Sequence, residues 1–254
     1  MNLTPKTFII VCPFLFLAGF VDSIGGGGGL ISLPAYLIAG LPVHQAIATN
    51  KMSSTFGTTL ATIRFIKNRL VNFRIAVLSV LLAVIGASIG ANLSLLIPEK
   101  TMHYILFIVL PVSAFIVLNK QLFKESDTDD TVIPNLCMYL TAAASAFTIG
   151  LYDGFYGPGT GTFLIISFTV FAKMSIRSAN AHAKVINLTS NVTSLVVFLF
   201  NGQIILPLGF AAAVCHMAGS YLGSGLVLAK GAKIVRPIII IVLFLLLLKI
   251  LGIF

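Results

Sequence analysis

Two long apolar runs, residues 8–40 and 135–173, are each cut in the middle by glycines: residues 25–29 in the first, Gly157-Pro158-Gly159-Thr160-Gly161 in the second. Glycine costs a helix about 1 kcal/mol relative to alanine, so a cluster of glycines ends it. Each run is too long for one bilayer crossing, at roughly 20 residues, and too short for two crossings and a turn. The bilayer is the relevant solvent because 58% of the chain is apolar and only 9% is charged. With a mean hydropathy of +1.06, polar cover for a soluble domain is missing, and so is a sizeable extramembrane domain. Broken backbone cannot face lipid, so both breaks must be buried in protein or line an aqueous cavity.

The interruption recurs because the chain repeats itself at a spacing of about 133 residues. Ala46, Ala48, Lys51 and Asn68 map onto Ala179, Ala181, Lys184 and Asn201, and Gly86, Gly90 and Leu93 onto Gly219, Gly223 and Leu226. Upstream the register slips slightly, and Asp22 with its glycines aligns with Asp153 and its cluster. The expected organisation is a transmembrane repeat at 1–119, a polar cytoplasmic linker at 120–134 holding Glu125, Asp127, Asp129 and Asp130, and a second repeat at 135–254. Each half carries one glycine-broken run and three ordinary spans, near 45–66, 75–97 and 103–119, then 179–200, 204–229 and 234–254. The N-terminal stretch resembles a signal peptide but has no Ala-x-Ala site, so it is expected to stay in the mature protein.

Charge placement separates a run that crosses from one that turns back. If each broken run is a re-entrant hairpin, each half has three crossings and the halves have inverted topology. Arg64, Lys67, Arg69, Arg74, Lys120, Lys124, Lys173, Arg177, Lys230, Lys233 and Arg236 then share the cytoplasmic side, eleven of the 16 Lys and Arg. Lys6, Lys100 and Lys249 lie outside, and both termini are extracytoplasmic. The net charge of +9 thus reads as a topology signal, with no nucleic-acid partner. The fold class expected is all-α integral membrane, with two inverted-topology repeats, each a glycine-broken re-entrant hairpin plus three transmembrane helices.

Lys51, Ser54 and Thr58 fall on one helix face, and Lys184, Asn187 and Asn191 repeat it, extended by Asn180 and Ser194. Intramembrane lysine is costly, so two readings are open: the lysines snorkel to the interface, or they supply positive potential to an anion path. The glycine clusters likewise either permit tight packing or present helix N-termini, whose free N–H groups and dipole attract anions. Packing suits Gly86, Gly90, Gly219 and Gly223, at four-residue spacing inside intact spans. Asp22 and Asp153, the carboxylates outside the loops, suit proton carriage, pairing with Lys51 or Lys184, or capping of nearby N–H groups. His182 reads as a hydrogen-bonded structural residue, and His44 and His103 as loop residues. Cys12, Cys137 and Cys215 sit in apolar runs without metal spacing and read as packing residues; no metal site and no cofactor are expected.

The segment Ile24 to Pro34, then Ala46-Ile47-Ala48-Thr49-Asn50, with Gly154-Phe155-Tyr156-Gly157-Pro158-Gly159-Thr160-Gly161 and Ala181-His182-Ala183-Lys184, resembles the sulfite exporter TauE/SafE family of membrane permeases. The resemblance covers almost the whole chain. It implies a secondary transporter in the plasma (inner) membrane of a bacterium-like cell, moving a small anion of the sulfite, thiosulfate or organosulfonate class, driven by an ion gradient and here expected to be proton-coupled. No ATPase motif and no room for a nucleotide-binding domain argue independently for secondary transport. The expected substrate-binding residues are Gly25, Gly26, Gly27, Gly28, Asn50, Lys51, Ser54, Tyr156, Gly157, Gly159, Thr160, Gly161, Lys184, Asn187 and Asn191, with Asp22 and Asp153 as coupling groups. The partners are the lipid bilayer and the small anion; oligomeric state is left open. The alternatives are a membrane-embedded enzyme acting on a sulfur compound or lipid, for which HExxH, GxSxG and paired metal-spaced histidines are missing, and an assembly protein, which leaves the duplicated Asp, Gly and Lys unexplained. The chain is therefore expected not to be an enzyme.

Overall fold

The computed structural model describes residues 4–98, 100–102, 104, 135–231, 233–235 and 237–238. The linker 120–134 and most of the expected spans 103–119 and 234–254, with His103, Lys120, Lys124, Arg236 and Lys249, lie outside the described residues. The first half forms α1 (Pro5–Gly25), α2 (Gly29–Ile38), α3 (Val43–Lys67) and α4 (Phe73–Leu96). The second forms α5 (Leu136–Phe155), α6 (Thr160–Val170), α7 (Ile176–Phe200) and α8 (Leu206–Lys230). No strand occurs among the described residues. Asn72, Asn135 and Ser175 cap α4, α5 and α7 by accepting from backbone N–H groups two or three residues on.

This is a multi-pass membrane protein. Helices α1, α4, α5, α7 and α8 are long and apolar enough to cross a bilayer. Helix α3 has 25 residues as well, but its polar residues lower its hydropathy, and these are buried: Asn50, Lys51, Ser53, Thr58 and Thr62 all face protein. Each glycine-cut run becomes one long helix followed by a short one, α2 with 10 residues and α6 with 11. His44 corrects an expectation: it lies in the first turn of α3, where its Nε2 meets the Ser94 carbonyl at 3.0 Å, because Pro42 and not His44 ends the preceding loop.

The two halves embrace each other. Helix α1 packs along α8 and α4 along α5, the most extensive contacts of the bundle. The expected small residues make this possible. A methyl on Gly219 would lie 2.7 Å from the Phe20 nitrogen, and one on Gly90 would lie 2.7 Å from the Phe155 nitrogen, so these backbones touch. Directions follow from the same contacts. Phe16 sits at Gly219 and Phe20 at Gly223, while Met52 sits at Gly209 and Arg64 at Ser224, so α1, α3 and α8 run parallel. Because α1 and α3 point the same way, the chain between them returns to the end where α1 began. Helices α3 and α7, at matched positions of the two halves, cross antiparallel: Lys51 Nζ donates to Asn191 Oδ1 at 3.0 Å, and Thr62 Oγ1 to the Lys184 carbonyl at 3.2 Å.

These directions gather the basic residues at one end of the bundle. Arg64 stacks on the Tyr221 ring at 4.4 Å and donates to the Tyr221 carbonyl and to Ser224 Oγ. Arg177 donates to the Leu228 carbonyl at 3.1 Å, and Ser178 Oγ to the Leu70 carbonyl at 3.3 Å. The end of α3, the starts of α4 and α7 and the end of α8 therefore lie together, with Arg64, Lys67, Arg69, Arg74, Lys173, Arg177, Lys230 and Lys233. At the opposite end Ile205 N donates to Thr49 Oγ1 at 3.2 Å. The positive-inside rule assigns the basic end to the cytoplasm. In a background with Cys12, Cys137 and Cys215 replaced, single cysteines at Lys6 and Asn201 are expected to react with an impermeant maleimide from outside the cell. Cysteines at Lys67 and Lys230 are expected to react only after permeabilisation. Labelling of Lys67 and Lys230 from opposite sides would contradict this arrangement.

Candidate functional site

The two helix breaks meet inside the bundle. A Cβ on Gly26, whose φ is +76°, would fall 2.7 Å from Gly161 Cα, and one on Gly161 would fall 2.8 Å from Gly26 Cα. Only hydrogen atoms on both sides allow this approach. Thr162 Oγ1 donates to the Gly25 carbonyl at 2.8 Å, and Asn180 Nδ2 donates to the Ile24 carbonyl at 2.9 Å. The open C-terminal carbonyls of α1 are thus satisfied by side chains of the other half.

Asp22 and Asp153 sit in the last turns of α1 and α5, ends where the helix dipole disfavours negative charge. Each is compensated by a lysine from the opposite half. Lys51 Nζ lies 2.8 Å from Asp153 Oδ2, and Lys184 Nζ lies 2.7 Å from Asp22 Oδ2. Lys51 is 2% exposed and Lys184 0% exposed, so neither snorkels. Of the roles open to the aspartates, pairing is the one seen: among the described residues neither carboxylate caps a backbone N–H. Asp153 also accepts from Thr160 Oγ1 at 2.8 Å and from Ser190 Oγ.

Around the Lys51–Asp153 pair is a polar cavity of about 20 Å³, the room of a single water. It is lined by Asp22, Gly27, Gly29, Asn50, Lys51, Ser54, Asp153, Gly157, Gly159, Thr160, Gly161, Asn187 and Asn191. The first turns of α2 and α6 open onto it with their positive dipole ends, while the Leu30, Ile31 and Thr160 N–H groups are held by the Gly27, Gly28 and Gly157 carbonyls. Asn191 Nδ2 donates to Asn187 Oδ1 at 3.2 Å, tying these two lining residues together. Asn50 is 6% exposed, and its side-chain oxygen has no protein partner.

Most of the expected residues converge here, and five stand behind the wall. Gly25 offers its carbonyl to Thr162, and Gly26 packs on Gly161. Gly28 abuts Asp22 Cβ, where a methyl would lie at 2.6 Å. Tyr156, 2% exposed, caps α5, and Lys184 is covered by Asp22. Gly29 joins the lining although only its cluster was expected to. Ser190 was missed, yet it shares the Asn187 and Asn191 face. His216, 1% exposed and within electrostatic range of Asp22 and Lys184, was missed because its span looks ordinary in sequence. His182 is structural: its Nε2 accepts from Asn72 N–H at 3.0 Å, and Nδ1 faces the Ser178 carbonyl at 2.9 Å.

Comparison with known proteins agrees with the membrane reading. The family model described as Sulfite exporter TauE/SafE matches residues 11–250. The chain is 36% identical over 228 residues to a probable membrane transporter protein, ORF9, of Sinorhizobium sp, covering 89% of this chain and 85% of that one. It is 36% identical over 227 residues to the probable membrane transporter protein YfcA of Escherichia coli K12, covering 89% and 82%. A probable membrane transporter protein of Haemophilus influenzae is 33% identical over 230 residues, covering 90% and 88%. No solved structure matches the chain.

Proposed function

The chain belongs to the sulfite exporter TauE/SafE family of membrane transporters, and on that premise we propose that it is a proton-coupled secondary transporter for a small anion of the sulfite, thiosulfate or organosulfonate class. It works as a permease and performs no covalent chemistry. The observation that carries the reading is Lys51: a buried cation at a polar cavity onto which two helix N-termini also open. An oxyanion suits this set, since it accepts hydrogen bonds on several sides and carries the charge that the lysine and the dipoles attract. The antiparallel crossing of α3 and α7 and the exchanged packing of the halves support an inverted pair that rocks about this central site.

Coupling follows from competition. An incoming anion takes Lys51 from Asp153, and a carboxylate that has lost its cation beside a new negative charge binds a proton. Proton and anion therefore help each other to bind. The test is uptake of labelled sulfite and thiosulfate into proteoliposomes under a pH gradient. Asp153→Asn is expected to bind anion with weaker pH dependence and to lose at least tenfold of the gradient-driven accumulation. Parental accumulation by a folded Asp153→Asn protein would remove Asp153 as the coupling group.

A further inference from the structure

The charges buried around the cavity limit how much charge can travel with each anion. Four charged side chains are buried among the described residues: Lys51, Lys184, Asp22 and Asp153. They form two pairs at 2.8 Å and 2.7 Å and sum to zero. Net charge is expensive in such surroundings, because fields there are not screened by water. An anion that joins the cluster leaves it negative unless something neutralises the excess. Each lysine is already matched by a carboxylate, so that task falls to the carboxylates.

The two carboxylates offer two places. Both Asp22 and Asp153 line the cavity, whereas of the two lysines only Lys51 does. The first negative charge is matched when Asp153 gives up Lys51 and takes a proton; a second is matched when Asp22 does the same. Facing Asp153 are Lys51 on α3, Thr160 on α6 and Ser190 on α7. Facing Asp22 are Lys184 on α7, Lys51 on α3 and His216 on α8.

Resting on the anion-transport reading above, we infer that the site takes anions of one or two negative charges and carries one proton with each of those charges, so that every transport cycle is electroneutral. A trivalent anion exceeds the neutralising capacity and is excluded. On its outward and inward passages the cluster is neutral in both its loaded and its empty form.

The wild-type protein in proteoliposomes tests this with thiosulfate as the divalent probe and methanesulfonate as the monovalent one. The internal proton load is read with a trapped pH dye, and the potential is set with potassium and valinomycin. Two protons per thiosulfate and one per methanesulfonate are expected, with thiosulfate accumulation unchanged between 0 and 100 mV at zero pH gradient. Each uncompensated charge would instead change accumulation by about 50-fold over 100 mV. The variant His216→Gln is expected to keep both ratios. Accumulation that follows the potential, one proton per thiosulfate, or a ratio altered in His216→Gln overturns the inference and leaves anion transport standing. Failure of sulfite, thiosulfate and methanesulfonate to accumulate under any gradient overturns the anion-transport reading, and the inference with it.

Discussion

Replacing Lys51 by Met is expected to cost about 3–5 kcal/mol of stability and to abolish anion uptake, because the substitution removes one member of a buried pair and leaves Asp153 without a cation. Asp153 keeps Thr160 and Ser190 as donors, but hydroxyl groups do not replace a full positive charge 2.8 Å away. The double variant Lys51→Met/Asp153→Asn removes both charges, and neutral groups of similar size tolerate burial well. Most of the lost stability should return in thermal unfolding of the detergent-solubilised protein, while uptake stays absent because the cation at the cavity is gone. The other pair gives a contrast. Lys184→Met should destabilise to a similar degree, but Lys184→Met/Asp22→Asn should retain measurable anion binding, since Lys184 does not line the cavity. Equal stability of the single and double Lys51 variants would show that the charge pair contributes nothing to folding.

The second large effect is expected at the touching helix breaks. Gly26→Ala places a methyl against the backbone of Gly161 and Thr162 in a residue whose φ is +76°. Steric and conformational costs add there, about 1–3 kcal/mol from overpacking and about 1–3 kcal/mol from a backbone of positive φ and extended ψ that is open essentially to glycine. No side chain can rotate away to relieve it, because the obstacle is main chain. Two further variants separate the contributions. Gly161→Ala meets Gly26 Cα at 2.8 Å without a positive φ, and Gly202→Ala has a φ of +64° with nothing within 4 Å. The yield of folded protein and its melting temperature should fall most for Gly26→Ala, less for Gly161→Ala and least for Gly202→Ala. A Gly26→Ala protein as stable as Gly202→Ala would mean that the two breaks do not touch.

Much of this protein is visible along the chain because membrane helices obey local rules. Hydropathy places α4, α7 and α8 within a few residues of their observed ends, since about 20 apolar residues and a polar or glycine boundary define a span in any context, and the repeat places α3 by its match to α7. The two breaks were equally legible, because no helix runs through five glycines or through Gly157-Pro158-Gly159. The repeat register picked out Asp22 with Asp153 and Lys51 with Lys184, and residues matched in that way are constrained for a shared reason.

That symmetry is also what hid the site. Lys51 and Lys184 occupy identical positions on matched helix faces, so no local signal tells which of them meets the cavity and which is sealed behind Asp22. The exchange of partners between the halves, Lys51 with Asp153 and Lys184 with Asp22, depends on how the halves interlock, and the Lys184–Asp22 contact closes across 162 residues of sequence. The same holds for Gly26, which touches Gly161, against Gly27, which lines the cavity one residue later: both are glycine in sequence, and only the turn of the backbone separates wall from lining. Ser190 reaches Asp153 from the polar face of α7, whereas His216 comes within electrostatic range of Asp22 and Lys184 from a helix whose own pattern announces nothing. Length, apolarity and helix breaks are properties of a segment and are settled by the sequence alone. Pairing and burial are properties of surfaces brought together from distant segments, and those the tertiary structure decided.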